Sequence, residues 1–214
     1  MNKNEKFEFE TKSNTLKFLK KRIKKSKIEN IFDFTTENWN YNKIEILQII
    51  QTKFNSKIIV RSSAEGEDSI EKSEAGSYES ILNVNSNSKN DIKKAVSMVI
   101  QSYEFRGNKN LQNQILIQKQ STNIITSGVV LTRESKRGLP YFIINFEDSD
   151  ATDGVTKGKS NNIIKIFKKI SILSVPKKWQ KLVIAIKEIE KIILIDYLDI
   201  EFGINMKNEV IIFH

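Results

Sequence analysis

The sequence predicts an α+β (α/β) fold, a two-lobed module with mostly antiparallel sheets. Two features of the chain predict this. Apolar residues at helical spacing alternate with short runs rich in Ile and Val. Those runs are bounded by turn chemistry. The length supports it: 214 residues, 39% of them hydrophobic, can bury a core in one large domain or two small lobes. A single domain over 1–214 is expected, with lobes at about 1–112 and 113–214.

Taken in order, Thr11 or Ser13 caps a first helix that carries Leu16, Leu19 and Ile23 on one face. A second helix is expected over Ile44 to Phe54, and a strand at Lys57–Arg61. The segment from Ala64 to Ser80 is acidic and glycine-bearing, and reads as a loop or a pair of turns. Ile92, Val96, Val99, Ile100 and Tyr103 recur at helical spacing and predict a helix over Asp91 to Tyr103. Gln114–Lys119, Gly128–Thr132 and Pro140–Phe146 read as strands, with a turn at Lys136-Arg137-Gly138. A polar loop runs from Glu147 to Asn162. Pro176 opens a helix whose apolar face is Trp179, Leu182, Val183, Ile186, Ile189 and Ile193. Leu198–Ile204 and Val210–Phe213 flank a turn at Asn205–Asn208 and form a β-hairpin. There is no internal repeat and no long linker.

Composition removes several kinds of chemistry. Without cysteine there are no disulfides and no thiolate metal sites. His214 is the only histidine, which argues against a zinc cluster or a Ser-His-Asp triad. No apolar run approaches the roughly 18 residues of a membrane span, and the first residues lack the apolar core of a signal peptide. A cytoplasmic protein is expected. The net charge of +9 invites a nucleic-acid reading. Lys, Asn and Ile are abundant throughout, however, and the densest cluster, Lys20 to Lys27, is most simply a solvated helix face. A polyanionic nucleotide suits scattered cations better.

Two groups of residues could carry chemistry, and a third segment fails its motif. The apolar run Ile58-Ile59-Val60 ends in Arg61, followed by Ser62 and Ser63, an acidic loop, the glycine-centred turn at Gly76 and a second apolar run. This reads as a strand presenting one cation at its tip, followed by a loop able to close over an anion. Arginine suits a phosphate because its planar fork donates two hydrogen bonds at once. The plainer reading is a strand-end arginine in a surface salt bridge. Asp199 and Glu201 stand two apart on an expected strand, so both carboxylates point the same way while Leu198, Ile200 and Phe202 fill the other side. That is a hard-oxygen Mg²⁺ site or the polar face of an ordinary hairpin, and on spacing alone the hairpin face is the simpler reading. Gly154-Val155-Thr156-Lys157-Gly158-Lys159-Ser160 is not a P-loop, because three residues rather than four separate the first Gly from Gly-Lys-Ser.

The run through Arg61-Ser62-Ser63, Glu67-Asp68, Ala75-Gly76 and Leu82-Asn83-Val84 resembles the VRSS, ED, AG and LNV signature of the pyruvate phosphate dikinase and phosphoenolpyruvate synthase ATP-binding domain. That is an ATP-grasp-type module which phosphorylates a histidine on a partner domain. Further matches follow in the family's order: Ile115 to Gln118 resembles its VxVQ strand, Ser127 to Thr132 its SGVxFT strand, and Asp199-Ile200-Glu201-Phe202 its DIEF segment. The resemblance implies ATP and Mg²⁺ as ligands. It implies that Arg61 and Lys12 meet the phosphates, that Gly76 and Ser80 belong to a phosphate-covering flap, and that Gln118 lies at the adenine side. It implies metal binding by Asp199 and Glu201, with Glu201 also toward ATP. His214 stands where the family has a glutamine that contacts ATP, and is carried over by position.

The family's following arginine, its phosphohistidine domain and its acceptor-binding domain are not in this sequence. The resemblance therefore implies the N-terminal nucleotide-binding part of a larger enzyme. The partner would be a phosphohistidine or acceptor domain in another chain or in a missing C-terminal region. The short N-terminal lead and Thr152 to Gly158 resemble the compact dikinase-like proteins of surface-polysaccharide clusters, including an L-glutamine kinase. A non-catalytic nucleotide-binding or regulatory remnant is the alternative, and a basic nucleic-acid-binding protein is a third reading.

Overall fold

The computed structural model describes residues 11–64, 68–69, 72–73, 80–148 and 162–214. The chain divides into two compact units. Among the described residues, one contains 11–18 and Glu29–Gln120; the other contains Leu19–Ile28 and 121–148 with 162–214.

The first unit runs α1 (Lys12–Lys20), β1 (Ile31–Thr35), α2 (Thr36–Lys53), β2 (Lys57–Ser63), the two-residue strands β3 (Asp68–Ser69) and β4 (Lys72–Ser73), β5 (Ser80–Asn85), α3 (Lys89–Phe105) and β6 (Gln114–Lys119). Its main sheet has the order β1-β6-β2-β5, with every neighbouring pair antiparallel. One face is apolar. Ile58 and Val60 of β2, Ile115 and Ile117 of β6 and Phe34 of β1 form a core with Trp39, Leu47 and Ile50 of α2 and Ile92, Val96 and Val99 of α3. Side chains at alternate positions point to opposite faces, so Arg61, Ser63, Gln114 and Gln118 are turned away from that core.

The second unit continues with β7 (Ile124–Leu131), β8 (Tyr141–Asp148), β9 (Asn162–Phe167), a 3₁₀ turn at Ile172–Ser174, α4 (Lys177–Ile193), β10 (Asp199–Asn205) and β11 (Val210–Ile212). Its sheet has the order β11-β10-β7-β8-β9 and is antiparallel throughout. Lys27 extends it at one edge: its N–H donates to the Val210 carbonyl at 2.9 Å, and the Ile212 N–H donates to its carbonyl at 2.8 Å. α4 covers one face. The Trp179 ring meets Phe146 at 4.6 Å and Phe202 at 6.3 Å between centroids, both edge to face. Gly128 allows β7 and β8 to approach closely, because a Cβ there would lie 2.0 Å from the Asn145 carbonyl oxygen.

Several elements depart from the sequence expectation. α1 ends at Lys20, so Ile23 is not on its face. α2 carries the expected helix over Ile44 to Phe54 and extends it back to Thr36 across a kink at Asn42 (φ −121, ψ 29). Its early half, rich in Asn, has little intrinsic helix preference and is started by a capping box between Thr35 and Asn38. β1 is five residues long and directly abuts that helix, leaving no turn signal between them. β5 is bulged opposite Ile59, with Asn83 at φ 61, which masks its alternation. β9 follows the polar loop as a strand that the sequence expectation lacks.

Candidate functional site

In the first unit the polar face of the sheet gathers four of the residues singled out from the sequence. Direct partners across an antiparallel pair share a face. Arg61 pairs with Leu116 on one side and Ser80 on the other, Ser63 pairs with Gln114, and Gln118 pairs with Ile59. Arg61, Ser80 and Gln118 therefore project to one side.

α1 is fastened to this same face by polar contacts. The Ser13 backbone N–H donates to Ser63 Oγ at 2.9 Å. Thr11 Oγ1 donates to Gln114 Oε1 at 2.6 Å. Lys17 pairs with Asp33, which shares the face through its register with Leu116. The first of these contacts seats Lys12, the opening residue of the helix, beside the Ser62-Ser63 end of β2.

Lys12 and Arg61 are only 7% and 8% exposed, and Gln118 is 1% exposed. Long charged side chains are rarely buried this far, because desolvation penalises them unless partners compensate. Arg61 Nη1 donates to Gln118 Oε1 at 3.4 Å. The Gln118 Nε2 donor has no hydrogen-bond partner among the described residues. A buried cation and an amide donor on one sheet face, with a second buried cation on the helix fastened to it, are suited to a polyanion. Gly76 lies outside the described residues, as does the Gly154 to Ser160 segment.

In the second unit Asp199 and Glu201 lie on β10, where Ile200 and Phe202 are buried on the α4 side. Asp199 pairs with Leu131 and Glu201 with Val129, so both carboxylates project from the face opposite α4. Past the strand's own partner, the chain returns alongside: the Glu201 N–H donates to the His214 carbonyl at 2.9 Å, and the Phe213 N–H donates to the Glu201 carbonyl at 2.9 Å. This places the His214 backbone next to Glu201. Gly203 makes room for the Phe213 ring, whose edge would come within 2.5 Å of a Cβ at that position. Among the described residues no three His, Cys, Asp or Glu side chains are grouped so as to hold a metal by themselves.

The segment entering β10 is held by residues that the sequence reading did not single out. Thr132, fully buried at the end of β7, accepts a hydrogen bond on Oγ1 from the Leu198 N–H at 2.7 Å, and its own N–H donates to the Leu198 carbonyl at 2.8 Å. The Arg133 guanidinium reaches the Gly138 carbonyl at 2.7 Å and pairs with Asp196. The Asp196 carbonyl also accepts from Lys168 Nζ, which pairs with Glu190. The Arg133 hydrogen bond is the chief reason the Asp196 carboxyl is held below its ordinary value. Nothing in the spacing of Thr132 and Arg133 signals this, because the contacts run to a loop more than sixty residues away. At the far end of β10 a cavity of about 450 Å³ is lined by Ile125, Thr126, Asp148, Lys178 and Ile204 among others. There burial, the largest single influence, raises the Asp148 carboxyl, but hydrogen bonds from Lys178 and Thr126 outweigh it and leave the group below its ordinary value.

Comparison with known proteins places these arrangements. The chain resembles the VanG D-Ala:D-Ser ligase of Enterococcus faecalis with a TM-score of 0.52 and 10% identity, over 94% of this chain and 50% of that one. It resembles the D-alanine–D-alanine ligase of Helicobacter pylori with a TM-score of 0.51 and 12% identity, over 95% and 49%. The dinucleotide-forming acetyl-coenzyme A synthetase 1 of Ca. Korarchaeum cryptofilum, solved with coenzyme A and Ca-AMPCP, gives 0.51 and 12% over 95% and 90%. At these identities the likeness is one of fold, the ATP-grasp type, and the chain spans about half the length of the two ligases. No curated protein matches the chain. The pyruvate phosphate dikinase AMP/ATP-binding domain matches residues 11–146, from the cap of α1 into β8. That stretch holds the whole polar face built around Arg61, and the chain belongs to this AMP/ATP-binding domain family.

Proposed function

We propose that the chain is the nucleotide-binding part of an ATP-dependent phosphotransferase, passing a phosphoryl group from Mg-ATP to a histidine on a partner domain. The observation that carries this reading is the burial of Arg61 on the polar sheet face and of Lys12 on the helix fastened to that face, within the stretch that matches the AMP/ATP-binding domain. Arg61 and Lys12 neutralise phosphate charge, the kind of positioning and electrostatic work that phosphoryl transfer requires. Ser80, opposite Arg61, and Gly76 belong to the segment that covers the phosphates. Gln118 and His214 contact the nucleotide.

Asp199 and Glu201 are the pair that would hold Mg²⁺. Two carboxylates on one side of a rigid strand fit an ion that takes one or two protein carboxylates and completes its shell with phosphates and water. When bound, the ion neutralises charge on the phosphate oxygens. The histidine acceptor comes from a phosphohistidine or acceptor domain in another chain or further along the polypeptide, and the setting is the cytoplasm.

Calorimetry of ATP binding, with and without Mg²⁺, tests the site. Magnesium-dependent binding in the micromolar range is expected for the wild type. Arg61→Ala removes charge-assisted hydrogen bonds worth about 1.5–3 kcal/mol, so affinity falls roughly ten- to a hundredfold. Glu201→Ala removes the magnesium dependence. Unchanged binding in both variants would overturn the assignment. Transfer is read separately, as an acid-labile phosphoryl group appearing on a histidine-bearing partner supplied with ATP.

A further inference from the structure

We infer that Gln118 is a positioning residue for Arg61, and that its amide nitrogen is a second donor to the same phosphate-bearing ligand. This rests on the nucleotide reading given above. The sequence alone places Gln118 by the position of its strand, without a role for its side chain toward Arg61.

Register makes the pairing possible. Arg61 on β2 faces Leu116, and Gln118 lies two residues further along β6, diagonal to Arg61 on the same face. The diagonal is within reach of two long side chains. Gln118 Oε1 accepts from Arg61 Nη1 at 3.4 Å, and with that oxygen engaged the amide has one group left, the Nε2 donor. That donor is buried and has no partner among the described residues. A buried amide donor left unmatched costs stability, and such a group persists where a ligand or water completes it.

The chemistry of the face selects the ligand. Lys12 and Arg61 are cations, and the Nε2 donor adds a neutral N–H without adding charge. An anion with several oxygens can accept from the guanidinium and from the amide together. A glutamine does this better than its acidic relative. Its oxygen restrains the guanidinium without titrating it, and its nitrogen attracts the oxygens that a carboxylate would repel.

The test is a double-mutant cycle on ATP affinity using Arg61→Ala, Gln118→Leu and the pair, with inorganic triphosphate as a second probe and melting temperatures measured alongside. Leucine keeps the buried volume close to that of glutamine. Gln118→Leu is expected to weaken ATP and triphosphate alike, by about ten- to a hundredfold. In the Arg61→Ala background the same change is expected to cost far less, since most of its effect passes through the arginine. Gln118→Glu, which retains the contact to Arg61 and loses the donor, is expected to bind both probes more weakly than Gln118→Leu.

Additive losses would overturn the proposal, as would a Gln118→Leu loss confined to ATP, which would assign the side chain to the base. If Arg61→Ala weakens ATP binding and Gln118→Leu does not, the proposal fails and the nucleotide reading stands. If Arg61→Ala has no effect, the proposal fails, and if Glu201→Ala has none either, the nucleotide reading fails with it. Should Gln118→Leu not fold, the decision rests on Gln118→Glu: tighter binding than wild type refutes a donor role.

Discussion

Replacing Thr132 by valine isolates one hydrogen bond at the entrance to β10. Threonine and valine have nearly the same shape, so the exchange removes the acceptor for the Leu198 N–H and leaves the packing in place. Thr132 is fully buried and Leu198 is 7% exposed, so water cannot substitute freely. An orphaned buried donor costs about 1–3 kcal/mol. Burying a methyl in place of a hydroxyl returns roughly 0.8 kcal/mol. Taking the middle of that range, about 2 kcal/mol, the net loss is about 1.2 kcal/mol, which for a chain of this length lowers Tm by about 2–5 °C. Thermal unfolding followed by circular dichroism measures it, with Thr132→Ser as the control. Serine retains the acceptor and loses one buried methyl, worth about 0.8 kcal/mol, so it falls between wild type and Thr132→Val. A Thr132→Val protein as stable as wild type, or a serine variant less stable than the valine one, would refute the reasoning. Because Leu198 directly precedes Asp199, the valine variant is also expected to weaken the magnesium dependence of ATP binding, and the serine variant to leave it intact.

Further outcomes follow from other contacts. Gly128→Ala forces a Cβ within 2.0 Å of the Asn145 carbonyl oxygen and 2.8 Å of the Phe146 Cα, both backbone atoms of the paired strand; the loss should reach or exceed the roughly 3 kcal/mol upper end for overpacking, and a soluble variant with wild-type melting would contradict the tight β7–β8 approach. Asp196 has its carboxyl lowered from 3.8, chiefly by the Arg133 hydrogen bond, so its stabilisation is present above that pH and lost as pH falls through the folded value. Asp196→Asn should therefore melt below wild type at neutral pH, with the two curves converging in acid; a gap that persists undiminished in acid would show that the ion pair is not its source. The separate effects of Arg61→Ala and Glu201→Ala on ATP binding, and the coupling of Arg61 to Gln118, complete the set.

How far the sequence could be read depends on the range of the forces involved. The α4 face and the α3 face were legible because burial repeats every three or four residues along one helix: Trp179, Leu182, Val183, Ile186, Ile189 and Ile193 are all buried as their spacing requires. The shared face of Asp199 and Glu201 was legible because strand alternation is equally local. β1 escaped notice because its alternation spans five residues and runs into a helix started by a capping box rather than by apolar spacing. The contacts that tie α1 to the sheet, Thr11 with Gln114 and Ser13 with Ser63, join residues 103 and 50 positions apart. They depend on the strand register, and no local pattern encodes them. Arg61 could be singled out from the sequence, whereas its burial beside Gln118 required the register of β2 against β6.

The backbone pairing of Lys27 with β11 has a consequence for solubility. A sheet edge with free amides and carbonyls recruits foreign strands, and Val210-Ile211-Ile212 is an apolar stretch well suited to it. Lys27 occupies that edge and shields it. The opposite border of the sheet, β9, is protected differently, by the charge of Lys165 at its centre between exposed Ile163 and Phe167. A chain beginning after Ile28 would lose the first safeguard and keep the second, so its self-association would proceed through the β11 border and saturate once that border is capped.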